Sequence, residues 1–147
     1  MDFTKLDRFA KKLEAFDVDA IINLSAKKNE AYLLSLVFDE QLYKDGVFPD
    51  GRATGDYAPF TVNYKNSSGS HDHKTDHITY KDEGGFYAGR VLRIRGDEIE
   101  ADSTDSKRDE LVKQEGDMLG WTKESIEKMS RKVFLPDIQK KIEKIMK

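Results

Sequence analysis

Phe86–Ser103 reads FYAGRVLRIRGDEIEADS. Leu92 and Ile94 stand two residues apart and so share one face of an extended strand. Ile99 and Ala101 repeat that spacing after Gly96-Asp97, a dipeptide suited to a tight turn between two strands. The stretch is therefore expected to form a β-hairpin in which Ile99 and Ala101 pair with Leu92 and Ile94. Arg95-Gly96-Asp97 also spells a short adhesion tripeptide, but the hairpin turn accounts for its Gly-Asp pair.

On either side of the hairpin the apolar spacing is helical. In TKLDRFAKKLEAF, Leu6, Phe9, Leu13 and Phe16 recur at three- and four-residue intervals, with Thr4 as a candidate N-cap. A longer helix is expected from Ala20 to Lys44. It carries Leu24, Ala31, Leu34, Phe38 and Leu42 on one stripe, and Leu33, Leu36 and Val37 widen that stripe in its second half. Gly46 is a natural stop. After the hairpin, a short helix capped around Ser103 or Thr104 should end at Gly116. From the candidate cap Thr122 onward, Ile126, Met129, Val133, Phe134, Ile138, Ile142 and Ile145 trace one stripe, and Pro136 should kink or break it. HITYKD, from His77 to Asp82, is a further short strand candidate. The expected class is α+β: a small antiparallel β-sheet flanked by N-terminal and C-terminal helices, in one domain over residues 1–147. Its parts are helical over 1–45, a long loop over 46–77, the hairpin sheet over 78–102 and helices over 103–147.

The loop carries Gly46, Gly51, Gly55 and Gly69, Pro49 and Pro59, and also Phe48, Tyr57, Phe60 and Tyr64. Long connections without secondary structure are uncommon in compact domains. The aromatics suggest that part of it orders by packing, in particular against another subunit on assembly.

Composition narrows the function. The net charge of −3 gives no basic excess, so direct nucleic-acid binding is not expected. There is no cysteine, which removes disulfides and cysteine-based zinc sites. Residues 1–16 show no apolar signal region, and no stretch approaches the roughly 18 apolar residues of a membrane span, so neither export by a visible signal nor membrane insertion is expected. The charge is uneven along the chain: acidic from Arg95 to Asp117, basic from Lys123 to Lys147. That asymmetry suits docking between copies, and equally describes two solvated faces.

SGSHDHKTDH, from Ser68 to His77, holds all three histidines, His71, His73 and His77. They are the only candidate metal ligands. Their flexible surroundings, NSSGS, favour a solvated polar loop over a metal centre, which needs a rigid scaffold. On that reading, alanine at all three positions leaves folding and assembly unchanged. DEGGFYAG lacks the spacing and context of a phosphate-binding loop. Its paired glycines, Gly84 and Gly85, point to a bulge or a close backbone approach, with Phe86 and Tyr87 opening the central strand. Trp121 is read as a core or helix-start contact, or alternatively as an interface anchor. No nucleophile or acid–base set stands out, and no cofactor is expected.

One order of features resembles a known family. DGRATGDYAPFTVNYK contains Pro59, Thr61 and Lys65 in a Pro–x–Thr–x–x–x–Lys pattern, with Tyr57 and Phe60 beside it. A polar linker follows, then Tyr80, Asp82, Gly84 and Phe86, with Glu83 where threonine is usual, then the hairpin and Glu115-Gly116. This arrangement, covering about Gly51 to Trp121, is similar to the small tail-completion or minor-tail (virion morphogenesis) proteins of tailed bacteriophages. The resemblance implies a non-enzymatic structural protein of the virion, assembled in the host bacterial cytoplasm. Its partners would be copies of itself, arranged in a ring, and other head–tail connector or tail proteins. The histidines would fall in a variable linker. The rivals are a metal-binding protein using the histidine loop and a small regulatory binding protein of a mobile element.

Overall fold

In the computed structural model, which describes residues 3–147, the chain runs α1 (Phe3–Glu14), α2 (Val18–Lys28), α3 (Glu30–Ser35), a π-helical segment (Leu36–Asp45), α4 (Pro59–Lys65), α5 (Gly85–Ala88), β1 (Arg90–Arg95), β2 (Glu98–Ser103), α6 (Arg108–Glu115), α7 (Lys123–Met129), a second π segment (Ser130–Phe134) and α8 (Leu135–Met146). This is an α+β fold. The two strands pair antiparallel with Leu92 opposite Ala101 and Ile94 opposite Ile99, and Gly96 takes the left-handed turn conformation at φ +59°.

The helix expected from Ala20 to Lys44 is built in three pieces. Asn29 interrupts α2 and α3, with its side-chain amide donating to the Ser25 carbonyl at 2.8 Å. The π segment then ends at Gly46, which takes φ +65°. The wide apolar pattern has a physical cause. Leu34, Val37, Phe38 and Leu42 face a first core with Phe48, Phe86, Tyr87, Ala101 and Met118. Leu33 and Leu36 face a second core with Ala26, Met129 and Val133. The α3–π rod lies between two layers, so neither face can be polar. Leu92 and Trp121 pack against both cores.

Gln41 holds the rod to the C-terminal helices. Its buried amide donates to the Gly120 carbonyl at 2.8 Å and accepts from the Thr122 amide at 3.0 Å and the Ser125 hydroxyl at 2.6 Å. Thr122 caps α7 as expected, its hydroxyl accepting from the Ser125 amide at 3.1 Å. Pro136 stands at the start of α8, directly after the second π segment. Proline lacks an amide hydrogen and crowds the turn before it, and a widened turn relieves that crowding.

Five expectations are corrected. Thr4 lies inside α1, which begins at Phe3, and so does not cap it. His77–Asp82 forms no strand. Gly84 to Tyr87 do not open the central strand: Gly85–Ala88 is one helical turn, and β1 starts at Arg90. Ser103 belongs to β2, and the turn into α6 is held instead by Asp105, whose carboxylate accepts from the Lys107 amide at 2.9 Å. Finally, residues 46–77 are not patternless, and contacts within the same chain hold them. Val47 bridges to Ala53, Phe48 is buried, and Pro59–Lys65 is a helix with proline in its first turn. Proline is tolerated there because the first amides of a helix have no intrahelical partner.

Candidate functional site

Two of the segments singled out in the sequence meet at one place. Tyr57, Thr61 and Lys65, from the segment around α4, share a cavity of about 580 Å³ with Tyr80, Asp82, Gly84, Gly85 and Phe86 from the segment before β1. Behind its wall lies a buried ion pair. The Lys65 ammonium donates to the Asp72 carboxylate at 2.9 Å, and both side chains are buried. Charges removed from water need full compensation, and here it is supplied from several elements. Tyr43 of the π segment donates to Asp72 at 3.0 Å. Thr79 donates to Asp72 at 3.5 Å, and the Tyr57 hydroxyl accepts from the Thr79 amide at 3.0 Å. Lys65 also stands 4.8 Å from the centre of the Tyr57 ring. Tyr87 donates to the Thr79 carbonyl.

Burial alone would disfavour both charges. The bonds to Lys65 and Tyr43 outweigh it and hold the Asp72 carboxyl below its ordinary range. Likewise, Asp72 and Tyr57 outweigh burial and raise the Lys65 pKa. The cluster is a fixed ion pair. It ties α4 to the π segment and to the chain at Thr79.

The glycine pair serves the same corner. Gly84 takes φ +92°, which favours glycine. A Cβ on Gly85 would meet the Asp105 carboxylate at 2.6 Å, so the expected close approach is present, made to a side chain after β2. Tyr80 is the one non-glycine residue at positive φ among the described residues, at 60°. Its ring packs on Phe48, with centroids 6.1 Å apart. Its hydroxyl is enclosed near Glu115, and burial followed by that carboxylate raises its pKa well above the usual phenol value.

The remaining candidates are dispersed. Pro59 starts α4. Phe60 projects from it, 83% exposed, with Tyr64 half-exposed one turn on. Phe86 and Tyr87 are core residues, edge-on to Phe38 at 5.6 and 5.4 Å. Trp121 takes the core role: its indole donates to the Leu33 carbonyl at 2.9 Å between the two cores.

The three histidines do not converge, and among the described residues no group of three or more His, Asp or Glu is placed to hold a metal ion. His71 is exposed. His73 Nδ1 donates to the Lys65 carbonyl at the end of α4. His77 Nε2 donates to the Tyr43 carbonyl at 2.7 Å and the Leu42 carbonyl at 3.2 Å. The last carbonyls of a helix have no partner within it, and these two histidines supply one. His77 also lies against Gly46, where a Cβ would meet the imidazole at 2.5 Å, so the stop at Gly46 needs glycine for space as well as for φ. The picture of a uniformly solvated histidine loop is thus corrected for His77, whose side chain is 13% exposed, while His73 stays exposed with one bond to the backbone. His77→Ala is expected to lower stability by about 1–3 kcal/mol through the unpaired carbonyls, whereas His71→Ala should stay within about 0.5 kcal/mol. Urea denaturation of the two single variants checks this. Equal midpoints would mean that the His77 bonds do not form in solution.

Sequence reading missed Asp72, Thr79 and Tyr43 as the residues that organise the site, and Gln41 as the tie to the C-terminal helices. Asp72 lay in view between two histidines, but only the fold shows Lys65 as its partner.

Comparison with protein-family models, with curated proteins and with solved structures gives no match to this chain.

Proposed function

We propose that this chain is a non-enzymatic structural protein of a tailed-bacteriophage particle, acting in the head–tail connector or the tail by binding copies of itself and other tail or neck proteins. One observation carries the reading: large apolar side chains are left partly exposed on two separate sets of elements. Leu6, Phe9 and Leu13 of α1 with Ile142 and Met146 of α8 make the first set, and Phe60 and Tyr64 of α4 make the second. Grouped apolar exposure of this kind marks interaction surfaces. Two unlike patches on one chain suit head-to-tail contacts, which close into rings. The resemblance motifs support the reading in a second way. Lys65 and Phe86 are spent on an ion pair and a core, and Gly84 and Gly85 on a tight corner, so these positions serve to shape a surface.

Light scattering across a wide concentration range, with and without zinc, tests this. The expected result is a mass well above the 16.9 kDa of one chain, rising with concentration and indifferent to zinc. A monomer at every concentration overturns the self-assembling role. A mass that changes only with zinc would move the function to the histidine loop. Among the described residues no helix is long and apolar enough to cross a membrane.

A further inference from the structure

Helix α1 is amphipathic in sequence yet leaves much of its apolar stripe uncovered: Leu6, Phe9 and Leu13 are 49%, 37% and 48% exposed, although the helix touches α8. Its stripe of Leu6, Phe9 and Leu13 follows the three- and four-residue spacing of a helix made to dock. Lys5 and Lys12 lie along one border of that stripe, at 100° per residue, and Arg8 and Lys11 lie beyond them. At 12 residues, α1 is marginal as a free helix in water, because helices this short draw their stability from packing.

The cavity of about 580 Å³ has the opposite character. Tyr57, Ile78, Phe86 and Leu111 give it an apolar wall, and Asp82, Glu83 and Asp105 stand around it. Asp82 and Glu83 are exposed, and their basic neighbour Lys107 reaches Asp82 only at 3.8 Å. Tyr64 lines the cavity and Phe60 projects from the same helix one turn before it, so the apolar surface extends outward along α4. Cavities of this size accept several apolar side chains. An apolar stripe bordered by lysines matches an apolar cavity bordered by carboxylates, as in helix-in-groove recognition.

We infer that α1 of one copy of this chain docks into the Tyr57–Phe86–Leu111 cavity of a second copy, its Lys5 and Lys12 meeting Asp82 and Glu83. The contact joins two different patches, so it repeats from copy to copy. It rests on the proposed assembly role and specifies how that assembly is made. The charged border sets orientation and speeds association, and the apolar stripe supplies the affinity.

Two variants at exposed positions separate the halves of the contact. Phe9→Ser/Leu13→Ser removes the inserted stripe, and Asp82→Lys/Glu83→Lys reverses the charge at the receiving site. Circular dichroism should show both folded like the wild type. Each is expected to weaken self-association by about thirtyfold or more, as for loss of a central anchor. Mixed in equal amounts, they retain one intact copy of each patch. Light scattering should then give a species of twice the monomer mass and nothing larger. If either variant assembles as the wild type does, or if the mixture stays monomeric, the docking is overturned while an oligomeric wild type keeps the assembly role. A wild type that is monomeric throughout overturns both.

Discussion

Replacing Phe86 by alanine is expected to lower unfolding free energy by about 3–5 kcal/mol. For a chain of this size that shifts the melting temperature by on the order of 10 °C. The side chain is 4% exposed and lies in the core with Phe38, Leu42, Phe48 and Met118. Its ring meets Phe38 edge-on at 5.6 Å, and such pairs add to the area they bury. The loss cannot be relieved by local collapse. Phe86 sits on a single helical turn between Gly84 and β1, and its carbonyl is fixed by the Ser103 hydroxyl at 2.7 Å. The α5 turn and the hairpin therefore hold the cavity open. Thermal unfolding followed by circular dichroism gives the answer. A melting temperature within about 2 °C of wild type would mean that the α5 turn does not pack on the π segment. The sequence reading put Phe86 at the opening of a central strand. The structure buries it on the α5 turn instead.

Asp72→Ala is expected to cost a similar amount, about 3–5 kcal/mol, because it leaves the Lys65 ammonium buried without its counter-charge. Lys65 is 5% exposed, and without Asp72 it keeps only the face of Tyr57 and a long contact to the residue 72 carbonyl. The double variant Lys65→Met/Asp72→Leu should recover part of that loss, since an apolar pair needs no counter-charge, while the Tyr43 and Thr79 hydroxyls lose their bonds to Asp72. Urea denaturation of the single and double variants measures both. The pair also sets a pH dependence. The folded-state pKa of Asp72 lies below 3.8, so its contribution is in place above that value and is lost as pH falls through the lowered one. Lys65 is raised above 10.5, so its contribution is in place below that value and fades as pH rises through the raised one. Asp72→Asn should therefore be less stable than wild type at neutral pH and lose less on acidification. An acid profile parallel to that of wild type would show that the carboxylate is not charged and paired in the folded state.

The histidine loop shows why a residue type alone was a poor guide. Three histidines within seven residues suggested either a metal centre or a polar linker. His73 and His77 are instead donors to the open carbonyls at the ends of α4 and the first π segment. That role depends on where two helices stop, and neither end is coded near the histidines.

What the sequence determined by itself was local. The alternation in Leu92–Ile94 and Ile99–Ala101 set the hairpin and its register, because a slip of one residue would turn both pairs to the wrong face. Gly46, Gly116 and Thr122 marked element ends through backbone conformation and capping, which depend on few neighbours. The broad apolar pattern around Leu33–Leu42 announced a rod buried on more than one side. Only the tertiary structure decided the rest. It set Lys65 against Asp72, and it made Gly85–Ala88 a helical turn where the Asp105 carboxylate comes close to Gly85. It also left the α1 stripe partly uncovered. The period of α1 is that of a buried helix face, and periodicity reports that a face is apolar without naming what covers it. Pairing, burial and exposure are properties of which distant segments meet, and that is settled by the packing of the whole chain.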